Sequence, residues 1–174
     1  LEITKRVPAS PANPLPPGTK AKLEPYQGAF TADGRFFWFT CRAAAQVRIL
    51  DVQAGVVIDS IPVAARPLIP AFRPDYREYW VPGQSAGSIS IIDASTRQVV
   101  ATISGLDKQP HAVAFTSDGR LAFVSCENQN GDAHHPTAGT QVVPGKVYVV
   151  DVGARAIRRV IEVGGFAAGV AIRQ

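Results

Sequence analysis

The sequence predicts an all-β chain, a β-propeller of four-stranded antiparallel blades. About three blades and one further strand are present, a partial ring from a propeller of about seven blades. Three observations carry this expectation. One pattern recurs three times at a period of about 42 residues. Each copy holds four short apolar runs divided by turn residues. No useful length of helical periodicity interrupts them. An immunoglobulin-like sandwich uses strands as short, but it does not repeat its sequence at this period.

Within each copy the first landmark is a tight turn between two strands. It reads Ala29-Phe30-Thr31-Ala32-Asp33-Gly34-Arg35, then Ala71-Phe72-Arg73-Pro74-Asp75-Tyr76-Arg77, then Ala114-Phe115-Thr116-Ser117-Asp118-Gly119-Arg120, with the aspartates 42 and 43 residues apart. Asp-Gly between apolar runs is a hairpin signal. An aromatic-rich second strand follows, ending in Trp38-Phe39-Thr40-Cys41, Trp80-Val81-Pro82-Gly83 and Phe123-Val124-Ser125-Cys126. The third strand is a β-branched run closed by aspartate: Val47-Arg48-Ile49-Leu50-Asp51, Ile89-Ser90-Ile91-Ile92-Asp93 and Val147-Tyr148-Val149-Val150-Asp151. The closing aspartates are expected to accept backbone N–H bonds in the turns they begin. Fourth strands then run over Val56 to Ile61, Gln98 to Ile103 and Ala156 to Val163.

These landmarks divide the chain into a Pro-rich N-terminal segment, 1–27, which holds six of the 14 prolines, and blades at 28–65, 66–107 and 108–164. Residues 165–174 read as the first strand of a further blade. Between its two aspartate landmarks the third copy carries 33 residues where the others carry 18, so it contains an inserted loop, 127–144. Three blades do not close a ring, because propellers need four to eight. The missing blades are therefore expected from the rest of a longer chain or from another subunit.

Composition limits the function classes. With 46% hydrophobic and 18% charged residues the chain asks for a packed core and is not an intrinsically disordered one. Its longest apolar runs, Val147 to Val150 and Phe166 to Ile172, fall well short of the roughly 20 residues that span a bilayer, so no membrane span is expected. The net charge of +4 comes from scattered residues, and nucleic acid is not an expected partner. Cys41 and Cys126 occupy equivalent positions in non-neighbouring blades, beyond disulfide reach, and are expected to be buried thiols. The absence of methionine is consistent with processing or truncation ahead of Leu1.

The strand ends Trp38-Phe39-Thr40-Cys41, Trp80-Val81-Pro82-Gly83 and Phe123-Val124-Ser125-Cys126, with Asp51, Asp93 and Asp151 closing the strands after them, resemble the YVTN-type β-propeller repeats over residues 25 to 174. Cys or Gly stands where that family has Asn, and Tyr76 where it has Gly. The resemblance implies a secreted, periplasmic or cell-surface protein of bacteria or archaea, and an extracytoplasmic location is expected on that ground. It extends to the propeller domains of haem-dependent nitrite reductases and of copper-dependent nitrous oxide reductase.

Candidate sites follow from blade geometry. In a four-stranded antiparallel blade the connections alternate sides, so the lead-in to the first strand and the loop between the second and third share a face. Tyr26, Leu68 and His111 are equivalent lead-in residues, following Pro25, Pro67 and Pro110. They are expected around the mouth of the central channel, as ligand-binding residues. His111 has two readings, a metal or haem ligand or acid–base group, or a packed histidine. Glu127, Asp132, His134 and His135 of the insertion are a possible zinc or copper set, against a solvated, partner-contacting loop. No catalytic residues are assigned. The chain is expected not to be an enzyme, to need no cofactor, and to bind a protein, polymer or small molecule on its loop-bearing face. The alternative is the propeller part of a haem- or transition-metal-dependent redox enzyme with His111 as a ligand.

Overall fold

The structure, a computed structural model, describes residues 7–9, 23–129 and 142–173. Its twelve strands form three four-stranded antiparallel sheets in chain order, with no helix among the described residues. The first holds β1 (Pro25–Phe30), β2 (Phe36–Cys41), β3 (Gln46–Asp51) and β4 (Val56–Pro62). The second holds β5 (Ala71–Phe72), β6 (Glu78–Gly83), β7 (Ser88–Asp93) and β8 (Gln98–Ile103). The third holds β9 (Pro110–Phe115), β10 (Leu121–Cys126), β11 (Pro144–Asp151) and β12 (Ala156–Gly165). These are propeller blades, and their registers repeat: Phe36, Glu78 and Leu121 pair with Asp51, Asp93 and Asp151.

The turns hold because short polar side chains accept the N–H groups that the strands leave over. Asp33 Oδ1 accepts from Thr31 Oγ1 at 2.6 Å and Arg35 N at 3.0 Å, and Asp118 accepts from Thr116 and Arg120 at the same distances. Asp51, Asp93 and Asp151 receive the N–H of Ala54, Thr96 and Ala154, as expected from sequence. Gly34 and Gly119 sit at φ +68° and +64°, and Tyr76 takes the same position at +57°, a conformation that costs an L residue more than glycine.

Hydrogen bonding by Ser95 and then Thr96 lowers the Asp93 carboxyl from its ordinary 3.8 to about 2. Asp33 and Asp118 are lowered too, chiefly by the hydroxyls of Thr31 and Thr116. A carboxylate with a depressed folded-state pKa contributes stability that is complete above the unfolded value and is lost as pH falls through the folded one. Melting temperature should therefore decline from near pH 4 towards pH 2, and Asp93→Asn should flatten part of that decline. A slope unchanged in the Asn variant would count against the assignment.

Two cores lie between the blades, and strand alternation feeds both. Tyr79, Val81 and Ile92 of blade 2 pack on Trp38, Val47, Ile49 and Ile61 of blade 1. From the other side of the same strands, Trp80, Ile89 and Ile91 pack on Val113, Phe115, Val124 and Val150 of blade 3. Blade 2 is thus covered on both faces, and β7 is buried from Ser88 through Ile92. Tyr79 Oη donates to Trp38 O at 2.8 Å, fixing blade 2 to blade 1. On the far face of blade 1, Phe30, Phe37 and Phe39 form an aromatic row. There Arg48 Nη1 donates to Ala9 O at 2.6 Å, and Val7, Pro8 and Ala9 line a groove with Phe37, Phe39 and Leu50.

Two expectations need correction, and one strand is shorter than its counterparts. The boundary at 27/28 cuts β1, which starts at Pro25, because proline is tolerated as a strand's first residue and a bulge between Pro25 and Gly28 absorbs the irregularity. The inner strand of blade 2 shrinks to Ala71–Phe72, since Pro67 and Pro70 have no N–H to donate. Residues 166–173 form no strand, because a first strand hydrogen-bonds only to the second strand of its own blade and no such partner is among the described residues. They still follow the ring. Phe166, at φ +58°, repeats the left-handed residue found two places before each lead-in position, Glu24 at 49°, Arg66 at 56° and Gln109 at 61°. Ser125 Oγ donates to Ala168 O at 2.9 Å, as Thr40 Oγ1 donates to Leu68 O at 2.8 Å.

Candidate functional site

The lead-ins and the loops between second and third strands lie on one face. There one backbone bond recurs, with the N–H of Arg42, Gln84 and Glu127, each just past the second strand, donating to the carbonyl of Glu24, Arg66 and Gln109 at 2.9, 3.0 and 3.1 Å. This lashing sets each lead-in beside the residue that follows its second strand. The result is a series of three equivalent pairs with different chemistry: Tyr26 with Arg42, Leu68 with Gln84, His111 with Glu127.

In blade 1 the Arg42 guanidinium lies over the Tyr26 ring at 5.2 Å. In blade 3, His111 Nε2 is 3.4 Å from Glu127 Oε1, with side chains 6% and 0% exposed. Between them Gln84 Oε1 accepts from Arg42 Nη2 at 3.3 Å and from Arg66 Nε at 3.2 Å. The pairs of blades 1 and 3 also meet, because Tyr26 stands edge to face with His111, ring centroids 6.5 Å apart.

The sequence-predicted residues therefore separate. Tyr26, 42% exposed, and His111, 5% exposed, are in ring contact. Leu68 shares their position but is fully buried, and its carbonyl serves Thr40, so it offers no surface to a ligand. Glu127 stands directly after β10, and its N–H bond to Gln109 brings it to His111. Asp132, His134 and His135 lie outside the described residues. Among the described residues no three His, Cys, Asp or Glu side chains gather as a metal set. Both cysteines are free and buried, and burial pushes their thiols up, Cys126 far more than Cys41, which makes them poor nucleophiles.

Sequence reading missed Arg42, Arg66, Gln84, Gln109 and Gln129. A signal was available at Arg42 and Gln84. Aligned on the strand ends Cys41, Gly83 and Cys126, the next residue is Arg, Gln and Glu in turn, a position polar in every copy that the strand pattern does not require. Beside this cluster, where blades 2 and 3 meet, is a cleft of about 480 Å³. Its walls include Gln84, Ser85, Gly87, Lys108, Gln109 and Gln129.

No protein-family model matches the chain, and no curated protein matches it. Among solved structures it is similar to a chain of Kuenenia stuttgartiensis hydrazine synthase, with a TM-score of 0.69 and 20% identity over 87% of this chain. The match spans 40% of that longer chain. At this identity the likeness concerns the fold. It does overturn the expectation that the chain is not an enzyme: the same arrangement of blades occurs in an enzyme, so the propeller gives no ground for excluding catalysis. No helix among the described residues is long and apolar enough to cross a membrane.

Proposed function

We propose that this chain is the propeller section of an enzyme whose channel mouth receives a small polar substrate and acts on it through His111 and Glu127. One observation supports this above the others. A histidine and a glutamate are buried together at a position that blade 2 fills with Leu68 and Gln84, so the fold itself has no need of them. Burying a carboxylate costs several kcal/mol before partners offset it (of order 3 to 5 when a pair is broken), and such costs gather where chemistry is done.

In this reading the Glu127 carboxylate, 3.4 Å from Nε2, orients the imidazole. His111 takes a proton from substrate as it reacts, and Glu127 stabilises the imidazolium that results. Tyr26 forms the opposite wall and limits the size of what enters. A haem or transition metal at His111 would have two described donors, His111 and Glu127, below the three protein ligands of a catalytic zinc site, and no step is routed through one. The remaining blades come from the rest of the protein or from another subunit, and cover the aromatic face of blade 1. An extracytoplasmic location rests on the YVTN-type resemblance.

The test uses a pair that the fold already accepts. Full-length protein carrying His111→Leu with Glu127→Gln, the side chains of blade 2, is expected to fold. It should lose a hundredfold or more of any turnover found in a panel of small redox and hydrolysis substrates, hydrazine formation included, about the contribution of a general base. Undiminished turnover in that variant would remove His111 from the chemistry.

A further inference from the structure

On the far face of blade 1, Val7, Pro8 and Ala9 lie along a groove with Phe37, Phe39 and Leu50. We propose that these three residues end the fourth strand of a further blade, whose other strands precede Leu1 in the full-length protein and dock on that face. This rests on the reading that further blades cover the aromatic face of blade 1, and deepens it by naming the strand and its source.

The blades already in contact supply the template. Phe37, Phe39 and Leu50 stand at the repeat positions of Tyr79, Val81 and Ile92 in blade 2 and of Ala122, Val124 and Val150 in blade 3. Those two sets face the preceding blade and are buried against it. In each case the preceding blade contributes the end of its fourth strand, Ile61 and Val63 from blade 1, Ile103 and Leu106 from blade 2. Val7-Pro8-Ala9 repeats Ile61-Pro62-Val63, and in both the proline is exposed between two less exposed residues.

One polar contact fixes the register. The side chain three residues before each closing aspartate bonds the peptide that leaves the fourth strand of the preceding blade. Ser90 Oγ accepts from Ala64 N at 3.1 Å, and Tyr148 Oη accepts from Asp107 N at 3.0 Å. Arg48, the equivalent residue of blade 1, donates from Nη1 to Ala9 O at 2.6 Å. That carbonyl belongs to the peptide aligned with Val63–Ala64 and Leu106–Asp107, and the sense reverses because a guanidinium can only donate. The next left-handed residue, Glu24, is fifteen positions past Ala9, where Arg66 and Gln109 are three past Val63 and Leu106. The extra length therefore follows the strand and leaves its register intact.

Two counterparts show what the further blade must supply. Val63 N donates to Ala45 O at 2.9 Å and Leu106 N to Gly87 O at 3.2 Å, each carbonyl lying just ahead of the third strand of the same blade. Ala9 N takes its equivalent acceptor from the further blade. Phe30 is 55% exposed, while Phe115 at the same repeat position is 7% exposed under blade 2. Every described fourth strand follows its third across a four-residue turn, so the same spacing puts the missing third strand directly ahead of Leu1.

Two measurements on full-length protein test this. Amide hydrogen exchange read at single residues should show Ala9 protected to within about tenfold of Val63, as ladder amides are. Phe30→Cys should react with a maleimide at least about a hundredfold more slowly than Val100→Cys on β8, where residue 100 is 47% exposed, and dilution should leave that protection unchanged. The native thiols of Cys41 and Cys126 are buried and do not compete. Rapid labelling at position 30 would overturn the docked blade and the covering reading together. Slow labelling with freely exchanging Ala9 would overturn the strand assignment and leave the covering blades in place. Protection that fades on dilution would put a second molecule on the face and overturn the proposal too. Exchange is measured on the unaltered protein, so it decides the matter even if Phe30→Cys does not fold.

Discussion

His111→Leu is expected to lower the free energy of unfolding by about 3 kcal/mol, and Glu127→Gln added to it should restore most of that loss. The single change removes the imidazole against which a fully buried carboxylate is held at 3.4 Å. Removing one member of a buried pair typically costs about 3 to 5 kcal/mol, because the other charge stays out of water. The double variant introduces neither charge nor cavity, because blade 2 packs Leu68 and Gln84 at the same place. Urea unfolding of both single variants and the double closes the cycle. Losses that simply add would show that His111 and Glu127 are independent, and the reading of them as one working pair would fail with them.

Trp80→Ala should cost about 4 kcal/mol, within the range for deleting a buried aromatic side chain. Trp80 is fully buried in the core between blades 2 and 3, edge to face with Phe115 at 5.3 Å. Its Nε1 donates to Glu78 Oε2 at 2.9 Å, and the other oxygen of that carboxylate meets Arg155 of blade 3 at 2.8 Å. The ring therefore fills the seam and also orients a carboxylate that spans it. Trp80→Phe keeps most of the volume and loses the N–H, so the difference between the two variants measures packing apart from the hydrogen bond. A fall of less than about 1.5 kcal/mol for the alanine variant would mean that the seam collapses around the gap or that the blades separate at little cost.

The sequence by itself determined the blades. Asp33, Asp75 and Asp118 mark one turn, Asp51, Asp93 and Asp151 another, and the hydrogen bonds they accept are local, within three residues of each. Local bonds leave a local signature, and the apolar alternation between the turns reports which residues face a neighbouring blade. That is why twelve strands fall close to where period and turns place them, and why the errors are confined to prolines and to the last lead-in. The equivalence of Tyr26 and His111 as lead-in residues was also legible, since it follows from aligning the repeats.

Only the tertiary structure decided what those residues do to one another. Glu127 reads in sequence as the start of a polar loop, yet a backbone bond to Gln109 turns it onto His111. Leu68 reads as a third member of the mouth, yet it is fully buried. Gln84 reads in sequence only as a polar residue after a strand end, yet Arg42 from the preceding blade and Arg66 from its own lead-in converge on its amide oxygen. Contacts between blades join residues dozens of positions apart, and their geometry depends on how one blade is rotated against the next, a quantity that packing of the two cores sets and that no local pattern encodes.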